Sequence, residues 1–303
     1  VQGKASSGAC PTLGVIGATS LVGACLLPLL TDAGEKVVAY SRKTKRCVLD
    51  GVEWCELPAT GECSRPAITA HGDCRIGRWI IVAPIWFLPE HFPLLEDHGA
   101  RRIVALSSTS RFTKQESSIP EEQALAQRLA EAEERLQGWA ASRGVEWIIL
   151  RPTLIYGRGR DKNVSEIARF IARFGFFPLL GKAAGARQPV HAEDVAVACF
   201  AASHSAVSAN RAYNLSGGET LSYREMVVRV FVALQRRPRL ITVPMAAFRS
   251  VVAGLRLLPR YRHWTAGMAE RMNEDLVFAH ADAARDLGFV PRPFTLTRTD
   301  LPQ

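Results

Sequence analysis

The sequence lacks the features that would mark several simple classes of protein. No apolar run approaches the ~20 residues that a membrane-crossing helix needs. The first ten residues, VQGKASSGAC, have no long apolar core of the kind a signal peptide carries. A cytoplasmic location is therefore expected, with residues 1–10 as a disordered lead. The seven cysteines (Cys10, Cys25, Cys47, Cys55, Cys63, Cys74 and Cys199) are odd in number, scattered, and never spaced Cys-x-x-Cys. Disulfide frameworks and zinc sites need paired spacings, so reduced thiols and no metal site are expected. His91 and His98 are seven residues apart without a supporting ligand. No Ser-His-Asp order with a nucleophile elbow is visible. Tyrosine is scarce: there are five, and none lies between Tyr40 and Tyr156.

What is present is ordinary in bulk and basic in charge. The 303 residues, 48% apolar and 22% charged, suffice for one large domain or two smaller ones with a proper core. The formal charge of +9 suits an anionic partner such as a phosphorylated cofactor or a nucleotide-linked substrate. Arginines are spread along the chain and no nucleic-acid-binding module is recognisable, so nucleic acid is not an expected partner.

Leu13–Gly23 is the most informative stretch. A short apolar run leads into Gly17-x-x-Ser20-x-x-Gly23 and then into helical apolar spacing. That is a strand, a tight turn and a helix start, which brings backbone N–H groups and a helix N-terminus against a phosphate. The helix is expected over Leu21–Ala33, stopping at Gly34. Strands follow at Lys36–Ser41, Val52–Leu57, Trp79–Ala83, Arg102–Leu106 and Val145–Leu150. Between the last two, Glu121–Ser142 is rich in good helix formers. Repeated strand–helix units of this length predict an α/β fold, a Rossmann-type doubly wound parallel sheet. Ligands in such sheets sit outside the carboxyl ends of the strands. The character changes after Pro152. Residues 157–187 are rich in Gly and Arg around one amphipathic helix, Val164–Phe174, and the helix Ala192–Ala202 returns to the core. The expected division is a dinucleotide-binding domain over residues 11–156 and 188–203, with a smaller, discontinuous C-terminal lobe over 157–187 and 204–303. Segments after Ser203 are expected to be short and helical.

The motifs, taken in order, resemble the extended short-chain dehydrogenase/reductase superfamily, which includes NAD(P)-dependent nucleotide-sugar epimerases and dehydratases. Gly17-x-x-Ser20-x-x-Gly23 resembles its cofactor loop, with Ser20 in place of the central glycine. Ala83-Pro84 resembles the segment lining the adenine and ribose site, and Ser107-Ser108-Thr109 the segment that carries the catalytic Ser or Thr. Arg151-Pro152-Thr153-Leu-Ile-Tyr156-Gly157 looks like R-P-x-x-x-Y-G, and Gln188-Pro-Val-His191-Ala-Glu-Asp194 like the element that returns the chain to the core. Ala212–Gly218 and Leu287–Pro291 match the C-terminal lobe, so the resemblance covers residues 11–295.

One departure is plain. The family's Tyr-x-x-x-Lys dyad sits on the long helix after the fifth strand. With Glu134-Arg-Leu aligned to the usual E-R-L, Ala126 and Ala130 occupy the dyad positions. The chain thus resembles atypical members that keep the fold and lose the dyad.

The resemblance implies a cofactor-binding set of Gly17, Thr19, Ser20, Leu21, Val22, Gly23, Ser41, Arg42, Lys43, Ala83, Pro84, Ser107 and Pro152. NAD-binding relatives end the second strand with an acid that accepts from the ribose 2′-OH. Here Ser41-Arg42-Lys43 stands there, followed by Lys45 and Arg46, which favours the 2′-phosphate of NADP over NAD. Candidate catalytic groups are Thr109, Ser108 and Lys114, and candidate substrate-binding groups are Tyr156, Arg158 and Arg187. His191 and Asp194 are expected to be structural. The helix around Met245–Leu258 has an apolar face. Core packing, a lipid-like substrate site, a membrane surface and a homodimer contact are all open to it. Two functions remain. One is an oxidoreductase or epimerase-like enzyme acting on a nucleotide-sugar or similar polar carbonyl. The other is a non-catalytic NADP-binding redox sensor or assembly factor.

Overall fold

The computed structural model describes residues 12–42, 49–57, 75–244 and 271–302. Residues 1–10, Lys43 and the segment Met245–Leu258 lie outside these described residues. In chain order the elements are β1 (Thr12–Ile16), α1 (Leu21–Asp32), β2 (Lys36–Ser41), β3 (Val52–Glu56), β4 (Arg78–Ile81), α2 (Phe92–Asp97), β5 (Arg102–Leu106), α3 (Ser110–Thr113), α4 (Pro120–Arg143), β6 (Glu146–Pro152) and β7 (Ile155–Tyr156). Then come α5 (Val164–Phe174), β8 (Phe177–Leu180), β9 (Ala186–Arg187), β10 (Val190–His191), α6 (Ala192–His204), β11 (Arg211–Leu215), β12 (Leu221–Ser222), α7 (Tyr223–Ala233), β13 (Leu240–Val243) and α8 (Ala281–Leu287).

The chain divides into two compact units. The first comprises residues 1–107, 131–150 and 196–212, and the second 108–130, 151–195 and 213–303. The principal sheet has seven strands in the order β11-β6-β5-β4-β1-β2-β3. The pairs β1–β2, β2–β3, β1–β4, β4–β5 and β5–β6 are all parallel. Strand order therefore reverses at β1, which has β2 on one side and β4 on the other. That reversal places the C-terminal end of β1 at the switch point where doubly wound sheets bind ligands.

The central strands form because their residues suit burial on both faces. Leu13, Val15, Ile80, Val104 and Ile148 are fully enclosed. Gly14 fits the same logic, since a Cβ there would run into the Trp79 indole. Trp79 is itself fully buried, and its indole N–H donates to the Ile76 carbonyl at 2.9 Å.

The second unit has a core of its own. Ile167 and Ile171 of α5 pack with Phe177 and Leu179 of β8, with Met226, Val230 and Phe231 of α7, and with Phe294. Three short two-stranded sheets serve this unit: β7 with β10, β9 with β12, and β8 with β13. Ser222 and Glu225 cap α7 reciprocally, which fixes the point where β12 becomes helix.

One expectation is corrected here. The segments after Ser203 are not only helical: β11, β12 and β13 are strands. In β11 the cause is alternation, because Tyr213 and Leu215 are buried while Ala212 and Asn214 are only half-buried. Such a short run offers no helical stripe.

Candidate dinucleotide site

The β1–α1 turn is built by two glycines and a serine. Gly17 has φ +87°, and a Cβ there would lie 2.5 Å from the Ala83 nitrogen. No side chain is tolerated where the turn meets the chain leaving β4. A Cβ at Gly23 would fall 2.5 Å from the Ala18 carbonyl oxygen, so α1 can begin this close to the turn only with glycine at that place. Ser20 is the N-cap: its Oγ accepts from the Gly23 N–H at 3.0 Å. Accepting there leaves the hydroxyl hydrogen available to a ligand oxygen. The first N–H groups of a helix have no partner within it, and no acidic residue lies in the first turn of α1. The turn is thus suited to a phosphate. Thr19 and Leu21 are half-buried beside it, whereas the Val22 side chain is buried and has only its backbone to offer.

Other members of the cofactor set lie around the same strand ends. The Gly17 N–H donates to the Tyr40 carbonyl at 3.2 Å, so the end of β2 adjoins the turn. Ser41 is buried and Arg42, next along, is exposed. The Val82 N–H donates to the Ile16 carbonyl at 2.9 Å, which holds Ala83 and Pro84 alongside β1. Ser107 leaves β5 with its N–H donating to the Leu150 carbonyl at 2.8 Å.

The Ser107 hydroxyl donates to Glu133 at 2.5 Å, and Glu133 is fully buried. Glu133 stands outside the residues that the sequence motifs mark. A signal was available: residues 122, 126, 129, 133, 136 and 140 form one helical stripe, all buried in α4, and Glu133 interrupts its apolar run. Ala126 belongs to that stripe and is fully buried.

The second unit holds the remaining candidates. The Thr109 N–H and hydroxyl both donate to the Pro152 carbonyl, at 3.1 and 3.3 Å. Thr109 is almost fully buried, and its hydroxyl oxygen keeps lone pairs that can accept. The Pro152 side chain is buried and its carbonyl is used twice by Thr109. Ser108 Oγ accepts from the Ser110 N–H at 3.1 Å, starting α3. Lys114 pairs with Glu122 at 3.2 Å, and the same carboxylate accepts from Ser117 at 2.8 Å and meets Arg271.

Two of the substrate-side candidates are engaged within the protein itself. Tyr156 is fully buried, packed edge-on against His191 and Phe294, with its hydroxyl donating to the Thr295 carbonyl at 3.3 Å. Burial pushes its pKa up to about 12. It presents no surface to a substrate. Arg187 is buried too, its guanidinium donating to the carbonyls of Ala186, Glu274 and Arg271. Burial lowers its pKa, because desolvation disfavours the cation. Its donors hold the chain together and leave little for a ligand. Arg158 is exposed, with φ +53° and its N–H on Asp300 at 3.3 Å.

His191 and Asp194 hold segments 292–300 and the start of α6 in place. His191 Nδ1 accepts from the Glu193 N–H, so Nε2 carries the proton toward Asp300 at 3.0 Å. Burial works against the Asp300 charge. Hydrogen bonds from His191, Thr297 and the Arg158 N–H nonetheless hold its carboxyl well below the usual carboxylate range. Asp194 binds Arg292 through both backbone and guanidinium. Among the described residues no group of three or more His, Cys, Asp or Glu side chains is arranged to hold a metal ion.

Residues 92–216 match the NAD dependent epimerase/dehydratase family. The mitochondrial NADH dehydrogenase (ubiquinone) 1 alpha subcomplex subunit 9 of Arabidopsis thaliana is 28% identical over 109 residues, 36% of this chain and 27% of the relative. The chain spans between 27% and 49% of the length of the curated relatives it matches. Among solved structures, the UDP-glucose 4-epimerase of Thermotoga maritima with UDP-glucose aligns at a TM-score of 0.67 and 14% identity, covering 92% of this chain and 93% of that one. The Thermus thermophilus UDP-glucose 4-epimerase complex with NAD aligns at 0.65 and 19% identity, covering 92% and 94%.

Proposed function

We propose that this chain, which belongs to the extended short-chain dehydrogenase/reductase superfamily, binds NADP on the β1–α1 turn and acts on a nucleotide-sugar or similar polar carbonyl. The observation that carries the reading is the turn itself. Gly17 and Gly23 are both forced by backbone proximity, and the helix start behind them carries no opposing charge. Arg42, exposed just past β2, would meet the ribose 2′-phosphate. A bound nicotinamide would supply the hydride donor or acceptor.

The chain's own residues would bind and orient. The Ser20 hydroxyl and the first N–H groups of α1 would hold the pyrophosphate. The Thr109 hydroxyl, fixed by its bond to the Pro152 carbonyl, would accept from a substrate hydroxyl. Lys114 we assign to the ion pair with Glu122, which closes the loop before α4. With alanine at 126 and 130, neither of those positions would offer a phenol or an ammonium to move a proton. The reaction favoured is one in which the cofactor does the chemistry and the protein positions it.

A second reading is a non-catalytic NADP-binding subunit or assembly factor. It is favoured by the missing dyad and by the Arabidopsis relative, whose name is that of a subunit of a larger assembly. One experiment separates the two. Thermal stabilisation is measured with NADP, NADPH, NAD and NADH, then again with UDP-sugars added. A native-state ligand at a hundred times its Kd stabilises by about 2.7 kcal/mol. NADP response plus an additive sugar response supports the enzyme. NADP response without a second ligand or turnover supports the subunit. No response to any dinucleotide defeats both.

A further inference from the structure

The C-terminal end of α5 carries a surface that the dinucleotide chemistry does not use. Phe170, Phe174 and Phe176 meet ring to ring, with centroids 4.6 Å apart for the first pair and 5.7 Å for Phe170 and Phe176. Phe174 is nonetheless 51% exposed. Alongside runs the β8–β13 ribbon, whose register pairs Ile241 with Pro178. In β8 Pro178 is half-buried between the buried Phe177 and Leu179, so it faces outward. Ile241 is 50% exposed, so the apolar area continues from the helix end onto the ribbon.

Arginines ring this area. The Arg173 guanidinium lies 5.2 Å above the Phe174 ring. Arg236 donates to the Ile171 carbonyl at 2.8 Å, and the Phe177 N–H donates to the Arg239 carbonyl at 2.9 Å. Those two bonds pin the loop after α7 against the end of α5. Arg173, Arg236, Arg237 and Arg239 are all exposed. Residues 164–180 and 223–243 contain seven arginines and two glutamates. Glu166 pairs with Arg169, and Glu225 is engaged in the cap of α7. Among the described residues, no carboxylate pairs with Arg173, Arg237 or Arg239.

Exposed aromatic and aliphatic side chains inside a rim of cations match a surface that is apolar within and anionic at its boundary. We propose that this face of the second unit docks on an anionic lipid bilayer. Phe174 and Ile241 enter the boundary between headgroups and acyl chains, and the arginines lie at the lipid phosphates. A nucleic acid would use the arginines but not the rest. Arg173 already covers a face of Phe174 that a base would need for stacking, and Ile241 gives a nucleic acid nothing. No helix among the described residues is long and apolar enough to cross a membrane.

Co-sedimentation of the full chain with vesicles tests this. The vesicles are phosphatidylcholine alone and phosphatidylcholine with about one-third phosphatidylserine, at low and high salt. Binding is expected with the anionic vesicles, falling with salt. The triple change Arg173→Gln, Arg237→Gln, Arg239→Gln should lower partitioning about a hundredfold, and Phe174→Ala about tenfold. The thermal unfolding midpoint of each variant reports folding; if the triple variant misfolds, Phe174→Ala and the salt series decide. The proposal is overturned by equal binding to neutral vesicles, by parental binding of a folded variant, or by arginine-dependent binding to duplex DNA with none to vesicles.

Discussion

Ser107 donates its hydroxyl to Glu133 across 2.5 Å, tying the end of β5 to the middle of α4. Glu133 is fully enclosed, so the bond has no competing water. Ser107→Ala should destabilise the protein by about 1–3 kcal/mol, because a buried carboxylate loses a donor. Glu133→Ala should cost at least as much. Urea melts of both single variants and the double variant would measure the coupling. A double variant no more stable than the sum of the singles would show that the pair does not act as a unit.

Gly17→Ala places a methyl group against the Ala83 backbone and forces an L residue to φ +87°. Strain of about 1–3 kcal/mol is expected from the backbone conformation. The turn should shift as well, so dinucleotide stabilisation should be lost even where the variant remains folded. A Gly17→Ala protein that still responds to NADP like the parent would disprove the assignment of this turn.

Arg42→Asp replaces an exposed cation with an acid of the kind that accepts from a ribose 2′-OH. NADP affinity should fall more than roughly tenfold, the loss of one charge-assisted pair. NAD affinity should hold or rise. Calorimetric titration with both cofactors gives the ratio, and equal NADP affinity in variant and parent would remove Arg42 from the site.

Tyr156 and Tyr223 both have pKa values pushed up to about 12 by burial. Their folded values exceed the unfolded value of about 10. The stability they contribute is therefore complete below about pH 10 and is lost as the pH rises toward 12. Tyr156→Phe removes one ionisable group and the bond to the Thr295 carbonyl, about 1 kcal/mol at neutral pH. Urea midpoints from pH 8 to 11.5 should fall less steeply in the variant. Tyr40, whose pKa burial also raises, titrates in both proteins and cancels in the difference. Parallel curves would mean that Tyr156 is not held protonated.

Much of the first unit was legible because its signals are local. Continuous apolar runs marked β4, β5 and β6, and helix-forming composition marked α4 to within a residue or two at each end. Ser20 was legible as the centre of a phosphate-like turn, though not as the N-cap that its bond to Gly23 makes it. The surroundings of Tyr156 and Arg187 were not legible, for one reason. A motif fixes which residue stands in a loop, but their exposure depends on the C-terminal segments that pack there, Phe294–Thr295 and Arg271–Glu274.

The sequence by itself determined the alternation of strands and helices, the glycines of the first turn and the absence of a tyrosine on α4. Each follows from backbone sterics, periodicity or simple inspection. Tertiary structure alone decided which polar groups are spent on the protein itself. Glu133, Arg187 and Tyr156 are titratable residues like any others in the sequence. Only residues 26 or more positions away supply the Ser107 hydroxyl, the Arg271 carbonyl and the Thr295 carbonyl that engage them. Burial and pairing are properties of the packed chain, and they separate a group that holds the fold from one left to meet a ligand.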